Sequence, residues 1–151
     1  MAMTMNGQYE LAVPPQTVWE KLNDAATLKA CIPGCEQLDK TSDTEFQAVA
    51  TVKIGPVKAK FKGRVTLSDL DPPNGYKISG QGDGGVAGFA KGGATVKLAP
   101  KNGGTLLSYN VDAQIGGKLA QLGQRLVNGA AKKIADDFFS NFANAVNPKA
   151  A

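Results

Sequence analysis

The longest run of strand-like alternation in this chain gives way to a helical period at Gly116-Gly117, and that change leaves few architectures open. Before it, from Glu36 to Ile115, apolar and polar residues alternate in the two-residue period of half-buried strands. After it, Leu119, Leu122, Leu126, Ala130, Ile134, Phe138 and Phe142 recur every three or four residues as far as Asn147-Pro148, the pattern of one amphipathic helix. About 30 residues at about 1.5 Å each predict a helix on the order of 45 Å long, which only a wide sheet can cover.

The preceding segments complete the order. Tyr9–Val13 alternates as a strand and runs into Pro14–Leu22, where proline in the first turn and apolar Val18, Trp19 and Leu22 predict a short helix. A second helix over Ala25–Ala30 stops before Pro33-Gly34. Phe46, Ala48, Ala50, Val52 and Ile54 then share one face of a strand. Past Gly55-Pro56, Val57, Ala59, Phe61, Gly63, Val65 and Leu67 share one face of the next. Asp71-Pro72-Pro73-Asn74-Gly75 and Lys101-Asn102-Gly103-Gly104 mark turns around strands at Tyr76–Gly80, Ala94–Leu98 and Thr105–Ile115. The expectation is a single α+β domain over residues 1–151, with a frayed tail at 147–151. In this helix-grip arrangement a curved antiparallel sheet of about seven strands wraps a long C-terminal helix, and two short helices follow the first strand.

The inward positions are unusually small. Ala48, Ala50, Ala59 and Gly63 stand where a solid core would place Leu, Ile or Phe, and seven glycines between Gly80 and Gly93 add curvature but no volume. A hollow between sheet and helix is the economical reading; tighter sheet-to-helix packing is the alternative. Its expected wall is Ala48, Ala50, Phe61, Tyr109, Leu122, Leu126 and Phe138. Phe138, Phe139 and Phe142, with Trp19 and Tyr109, read either as core or as contacts to a flat apolar ligand.

Composition removes most catalytic chemistry. The chain has no histidine, which excludes a Ser-His-Asp triad, a Cys-His pair and histidine-ligated zinc. Its two cysteines, Cys31 and Cys35, are too few for an all-cysteine metal site and are read as thiols in a reducing cytoplasm, with an oxidised pair or half of a shared metal site as the alternatives. Asp69, Asp71 and Asp136-Asp137 occupy turns or a helix face, where solvation is expected. No catalytic residue and no metal ligand is assigned. The first residues, Met1 to Gly7, lack the basic and apolar regions of a secretion signal, and no apolar run approaches a membrane span.

Two glycine-rich segments imitate nucleotide loops. Gly80-Gln81-Gly82-Asp83-Gly84-Gly85 has the letters of the dinucleotide fingerprint, but strand flanks it on both sides, where a phosphate site needs a helix N-terminus. Gly88-Phe89-Ala90-Lys91-Gly92-Gly93 lacks the Lys-Ser/Thr pair of a phosphate loop; Phe89 reads as a docking or lid residue on a glycine-hinged loop, or as that loop's buried anchor. Lys58, Lys60, Lys62 and Arg64 alternate with inward residues and so emerge together on the outer face. With the net charge of +4, they read as a solvated edge-protecting face or a docking stripe for an acidic partner or anionic lipid. Nucleic acid is not expected, because no aromatics interleave the cations.

Four segments carry a resemblance over nearly the whole chain. Cys31-Ile32-Pro33-Gly34-Cys35-Glu36, Val52 to Gly63, the Gly80–Thr95 stretch containing Gly-Phe-Ala-Lys-Gly, and Gly116 to Gly123 resemble the carbon monoxide dehydrogenase G-subunit (CoxG) family. That family lies in the START-like helix-grip (SRPBCC) superfamily. The resemblance implies a non-enzymatic accessory protein of a molybdenum-containing, molybdo-flavoenzyme carbon monoxide dehydrogenase or related hydroxylase. It implies no covalently bound cofactor, a quinone or lipid held in an apolar cavity, and a role in recruiting the enzyme to the membrane. The implied location is cytoplasmic, with peripheral contact at the inner face of the membrane. Family members often continue into a linker and hydrophobic anchor; this sequence stops at Ala151, so surface docking or service to a soluble hydroxylase is the expectation here. A ligand-free assembly factor and a helix-grip cyclase or hydrolase are the competing readings.

Overall fold

The first strand is twice as long as its alternation predicts. In the computed structural model, which describes residues 1–147, β1 runs Ala2–Leu11 rather than Tyr9–Val13. Gly7 and Asn6 dilute the pattern in sequence, but pairing of the whole segment with the last strand supplies the missing hydrogen bonds. Next come α1 (Pro15–Leu22) and α2 (Ala25–Cys31), the latter opened by Asp24, whose carboxylate accepts from Thr27 N–H and hydroxyl. The remaining strands are β2 (Cys35–Ser42), β3 (Glu45–Ile54), β4 (Val57–Asp71), β5 (Gly75–Asp83), β6 (Phe89–Lys101) and β7 (Gly104–Gly116). All seven form one antiparallel sheet in the order β1-β7-β6-β5-β4-β3-β2, so β1 and β2 are its edges.

The terminal helix is not continuous. A four-residue α3 (Lys118–Gln121) ends at Gly123, whose φ of +93° is a left-handed conformation open to glycine, and α4 then runs Gln124–Val146. Its 23 residues make it about 35 Å long, shorter than the period predicts. The interruption also resets the helical phase. Leu126 and Ile134, expected on the inward stripe, are 41% and 36% exposed. The face turned to the protein is instead Val127, Ala131, Ala135, Phe138, Phe142 and Val146, one residue later over that stretch. Of the tail expected to fray, Asn147 is held, its Oδ1 accepting from Ala12 N–H at 2.8 Å; residues 148–151 lie outside the described residues. Among the described residues no helix is long and apolar enough to cross a membrane.

The core is divided in two. A larger cluster, including Leu11, Val18, Leu107, Phe142 and Val146, gathers where α1, α2 and the end of α4 meet the sheet. A smaller one, Met3, Ile115, Leu119 and Val127, sits at the opposite end under α3. Between them the sheet's inner face is a register of small residues: Ala48 pairs with Gly63, Gly63 with Gly82, Gly82 with Ala90, and Gly80 with Gly92. Ala131 and Ala135 on α4 are also small, so the middle of the structure holds little side-chain volume. Thr105, the one buried polar residue among those described, donates its hydroxyl to the Val13 carbonyl at 2.7 Å and locks the β1–α1 link to β7.

Candidate functional site

The outer face of the sheet gathers every docking residue expected from the sequence. Lys58, Lys60, Lys62 and Arg64 are all exposed along β4. Phe89 is not on a loop but is the first residue of β6, 43% exposed, because the Gly84–Gly88 connection is only a single 3-10 turn. Its register places it in the same row as Lys62, through Asp83: Lys62 pairs with Asp83 and Asp83 with Phe89. Lys60 forms an ion pair with Glu36 at 3.5 Å, and Thr51 donates to the same carboxylate at 2.6 Å. These contacts, the hydroxyl first, hold the Glu36 carboxyl below the usual range.

A twisted sheet is saddle-shaped, so the face that is convex around a helix is concave along the other diagonal. Here that concavity is a trough of about 910 Å³ crossing the outer face from β2 to β1. Lys62, Arg64 and Lys91 line it with Asp39, Asp83 and Asp112, so charges of both signs stand around a floor that also exposes apolar Ala48, Val49 and Ala113.

A second hollow, about 390 Å³, opens between the edge strand β1 and α4. Met3, Met5, Gly7, Tyr9 and Tyr109 reach it from the inward face of the sheet, and Asn128, Lys132 and Asp136 from the helix. Tyr9 donates its hydroxyl to Asp136 Oδ1 at 2.6 Å, and Lys132 Nζ donates to Asp136 Oδ2 at 2.8 Å. The Tyr9 ring stacks on Phe139 with centroids 4.3 Å apart, and Phe139 stacks on Tyr109 at 5.3 Å. Phe138 meets Phe139 edge-on at 5.0 Å and stacks on Phe142 at 5.8 Å, so the aromatic wall continues inward.

Of the expected cavity wall, Tyr109 lines this crevice and Ala48 borders the outer trough. Ala50 and Phe61 are paired across β3 and β4 on the inner face, and the Phe61 ring covers Gly82 and Gly84. Phe138 joins the larger core cluster and Leu122 the smaller, while Leu126 sits over the Gly55 turn. Trp19 is at the other end, edge-on to Tyr76 at 5.2 Å. Cys31 and Cys35 are free thiols, both pushed up by burial, and no metal-binding cluster occurs among the described residues.

Residues 7–147 match the profile of the carbon monoxide dehydrogenase G-subunit (CoxG) family. The chain belongs to that family. A conserved protein from Geobacillus kaustophilus is 34% identical, with a TM-score of 0.89 and 95% of each chain covered. The fold is shared more widely. Ara h 8.0201 is 13% identical with a TM-score of 0.69, covering 97% of this chain and 98% of that one. The Zhui aromatase/cyclase from Streptomyces sp. R1128 is 12% identical with a TM-score of 0.70, covering 97% and 94%. Comparison with curated proteins gives no match. These neighbours confirm the helix-grip architecture expected from the order of elements.

In this CoxG family member the residues that sequence reasoning passed over are Tyr9, Lys132 and Asp136. Asp136 had the look of a solvated helix residue, and only the four-residue spacing from Lys132 hinted at a pair. The lysine, and then the Tyr9 hydroxyl, hold the Asp136 carboxyl below its usual range. All three tyrosines are shifted upward, chiefly by burial, and Tyr9 further by its bond to Asp136. A folded-state value above the unfolded value of about 10 stabilises the protein below that pH, and the contribution is lost as pH rises beyond it. Absorbance at the tyrosinate band should therefore stay flat past pH ~10 and rise together with loss of circular dichroism. A separate early tyrosinate step in folded protein would contradict these environments.

Proposed function

We propose that this chain is a non-catalytic accessory protein of a molybdenum-containing carbon monoxide dehydrogenase or a related hydroxylase. In this reading it binds a small apolar ligand, a quinone or lipid, between sheet and helix and presents its outer face to the molybdo-flavoenzyme. Membership of the CoxG family supports the accessory role. The observation that carries the docking surface is the convergence of Lys58, Lys60, Lys62, Arg64 and Phe89 on one exposed sheet face. The small inner-face register supports space for a ligand without any catalytic group. Peripheral contact with the cytoplasmic membrane, through the same cations, completes the proposal.

The test is binding of the purified chain to a purified molybdo-flavoenzyme of the carbon monoxide dehydrogenase type, measured by interferometry at two salt concentrations. Lys62→Glu combined with Arg64→Glu is expected to weaken binding about tenfold, with a shallower salt dependence and an unchanged circular dichroism spectrum. Unaltered affinity in the double variant would remove the outer face from this reading.

A further inference from the structure

We infer that the crevice between β1 and α4 is the port of the ligand space proposed between sheet and helix, and that its rim holds the oxygen-bearing end of an amphipathic ligand whose apolar body lies inward. The inference rests on the ligand-binding reading proposed above, and adds where the ligand passes and which way it faces.

The port begins with an unpaired strand edge. Met1 and Ile115 exchange both backbone hydrogen bonds, at 2.8 and 2.7 Å, which sets the alternation along β1. Met3, Met5, Gly7 and Tyr9 therefore bond to β7, and the intervening Thr4, Asn6 and Gln8 turn their backbone groups away from it. Opposite this edge, Gln124, Asn128, Lys132 and Asp136 stand at four-residue intervals and so form one stripe of α4. The slot is closed at each end by a side-chain hydrogen bond. Gln124 Nε2 donates to the Ala2 carbonyl at 3.0 Å, and the Tyr9 hydroxyl donates to Asp136. Between these two ties lies the opening of about 390 Å³, within the range of small-molecule sites.

Its two sides differ in chemistry. The inner side is apolar and flat: Tyr109 lies against β1 at Gly7, where a Cβ would come within 2.8 Å of the phenol oxygen. Tyr109, Phe139 and Tyr9 are nearly parallel, with interplanar angles of 10–21°. The outer side is rich in donors. Lys132 uses one N–H on Asp136, which leaves two, and the Asn128 amide adds its own. Asp136 is already engaged by Lys132 and Tyr9, so its charge is countered before any ligand arrives. Such a rim suits an acceptor oxygen, a carbonyl or a carboxylate, at the end of a ring or chain that needs the aromatic wall.

Two probes of the same shape separate these elements: dimethylnaphthoquinone, substituted so that it does not react with thiols, and dimethylnaphthalene, which lacks the oxygens. Binding of each to the whole chain is measured by calorimetry for the wild type, Lys132→Met and Asn128→Trp, all checked by circular dichroism; both positions are exposed. Lys132→Met is expected to weaken the naphthoquinone about tenfold and to leave dimethylnaphthalene within about twofold. Asn128→Trp, which fills the slot, should suppress both. If the wild type binds and Lys132→Met changes neither probe, or weakens both equally, the port inference is wrong while the ligand reading stands. Normal binding of both probes by Asn128→Trp would overturn the port in the same way. A wild type that binds neither probe overturns the ligand reading and the port with it.

Discussion

Phe142→Ala is expected to lower the unfolding midpoint by about 10 °C. Phe142 is fully buried on the inward stripe of α4, in the larger core cluster, with its ring stacked on Phe138. Truncation removes the apolar contact and leaves a void that surrounding β-structure cannot easily close, a loss of about 3–5 kcal/mol. Against a typical total of about 5–15 kcal/mol that is a large share, and for a chain of this size each kcal/mol moves the midpoint by about 2–4 °C. Thermal denaturation followed by circular dichroism measures it. Phe142→Leu, which keeps most of the volume, should recover more than half of the loss. A midpoint shift under about 3 °C for Phe142→Ala would mean that the helix is not seated on this residue.

Gly92→Val should fail to fold, and Gly92→Ala should lose about 3 kcal/mol, the upper end of what overpacking costs. Gly92 faces inward on β6, paired with Gly80 on one side and Ala113 on the other. A Cβ there would fall inside contact distance of the Asp112 carbonyl oxygen and 2.7 Å from the Ala113 Cα, and backbone cannot rotate away as a side chain can. Next to it, a Cβ on Gly93 would lie 2.9 Å from the Ile78 carbonyl oxygen. The two glycines thus let β6 bend tightly between its neighbours. Gly129→Ala is the contrast: it is exposed in the middle of α4 with nothing within 4 Å of its Cβ position, and should gain about 0.5–1 kcal/mol. Opposite signs for one chemical change, read by urea denaturation, are the expected result. Equal effects at Gly92 and Gly129 would show that the bend in β6 does not depend on bare backbone.

Much of the architecture was legible in local periodicity. The inward faces of β3 and β4, the two short helices, and the outward run Lys58 to Arg64 followed from spacing alone, because a side chain's face in a strand depends only on its own parity. The resemblance carried by the Cys31–Glu36, Val52–Gly63, Gly80–Thr95 and Gly116–Gly123 segments identified the family, and the match over residues 7–147 agrees. Parity also put Phe89 with the cations once β6 was known to begin there.

The remainder depended on distance in space. The phase of α4 could not be read through Gly123, because a left-handed residue rotates every following side chain about the axis, and that rotation moved Leu126 and Ile134 out to solvent. The length of β1 was settled by its partner β7, more than ninety residues away in the chain. The crevice joins Tyr9 to Asp136 across 127 positions, and its existence needs an edge strand left unpaired beside a polar helix stripe. The outer trough is a property of sheet twist, to which no single residue testifies. Sequence by itself determined which face each strand residue would take, since that is a local matter of backbone period. Tertiary structure alone decided where the faces leave openings, since openings lie where elements distant in the chain fail to meet.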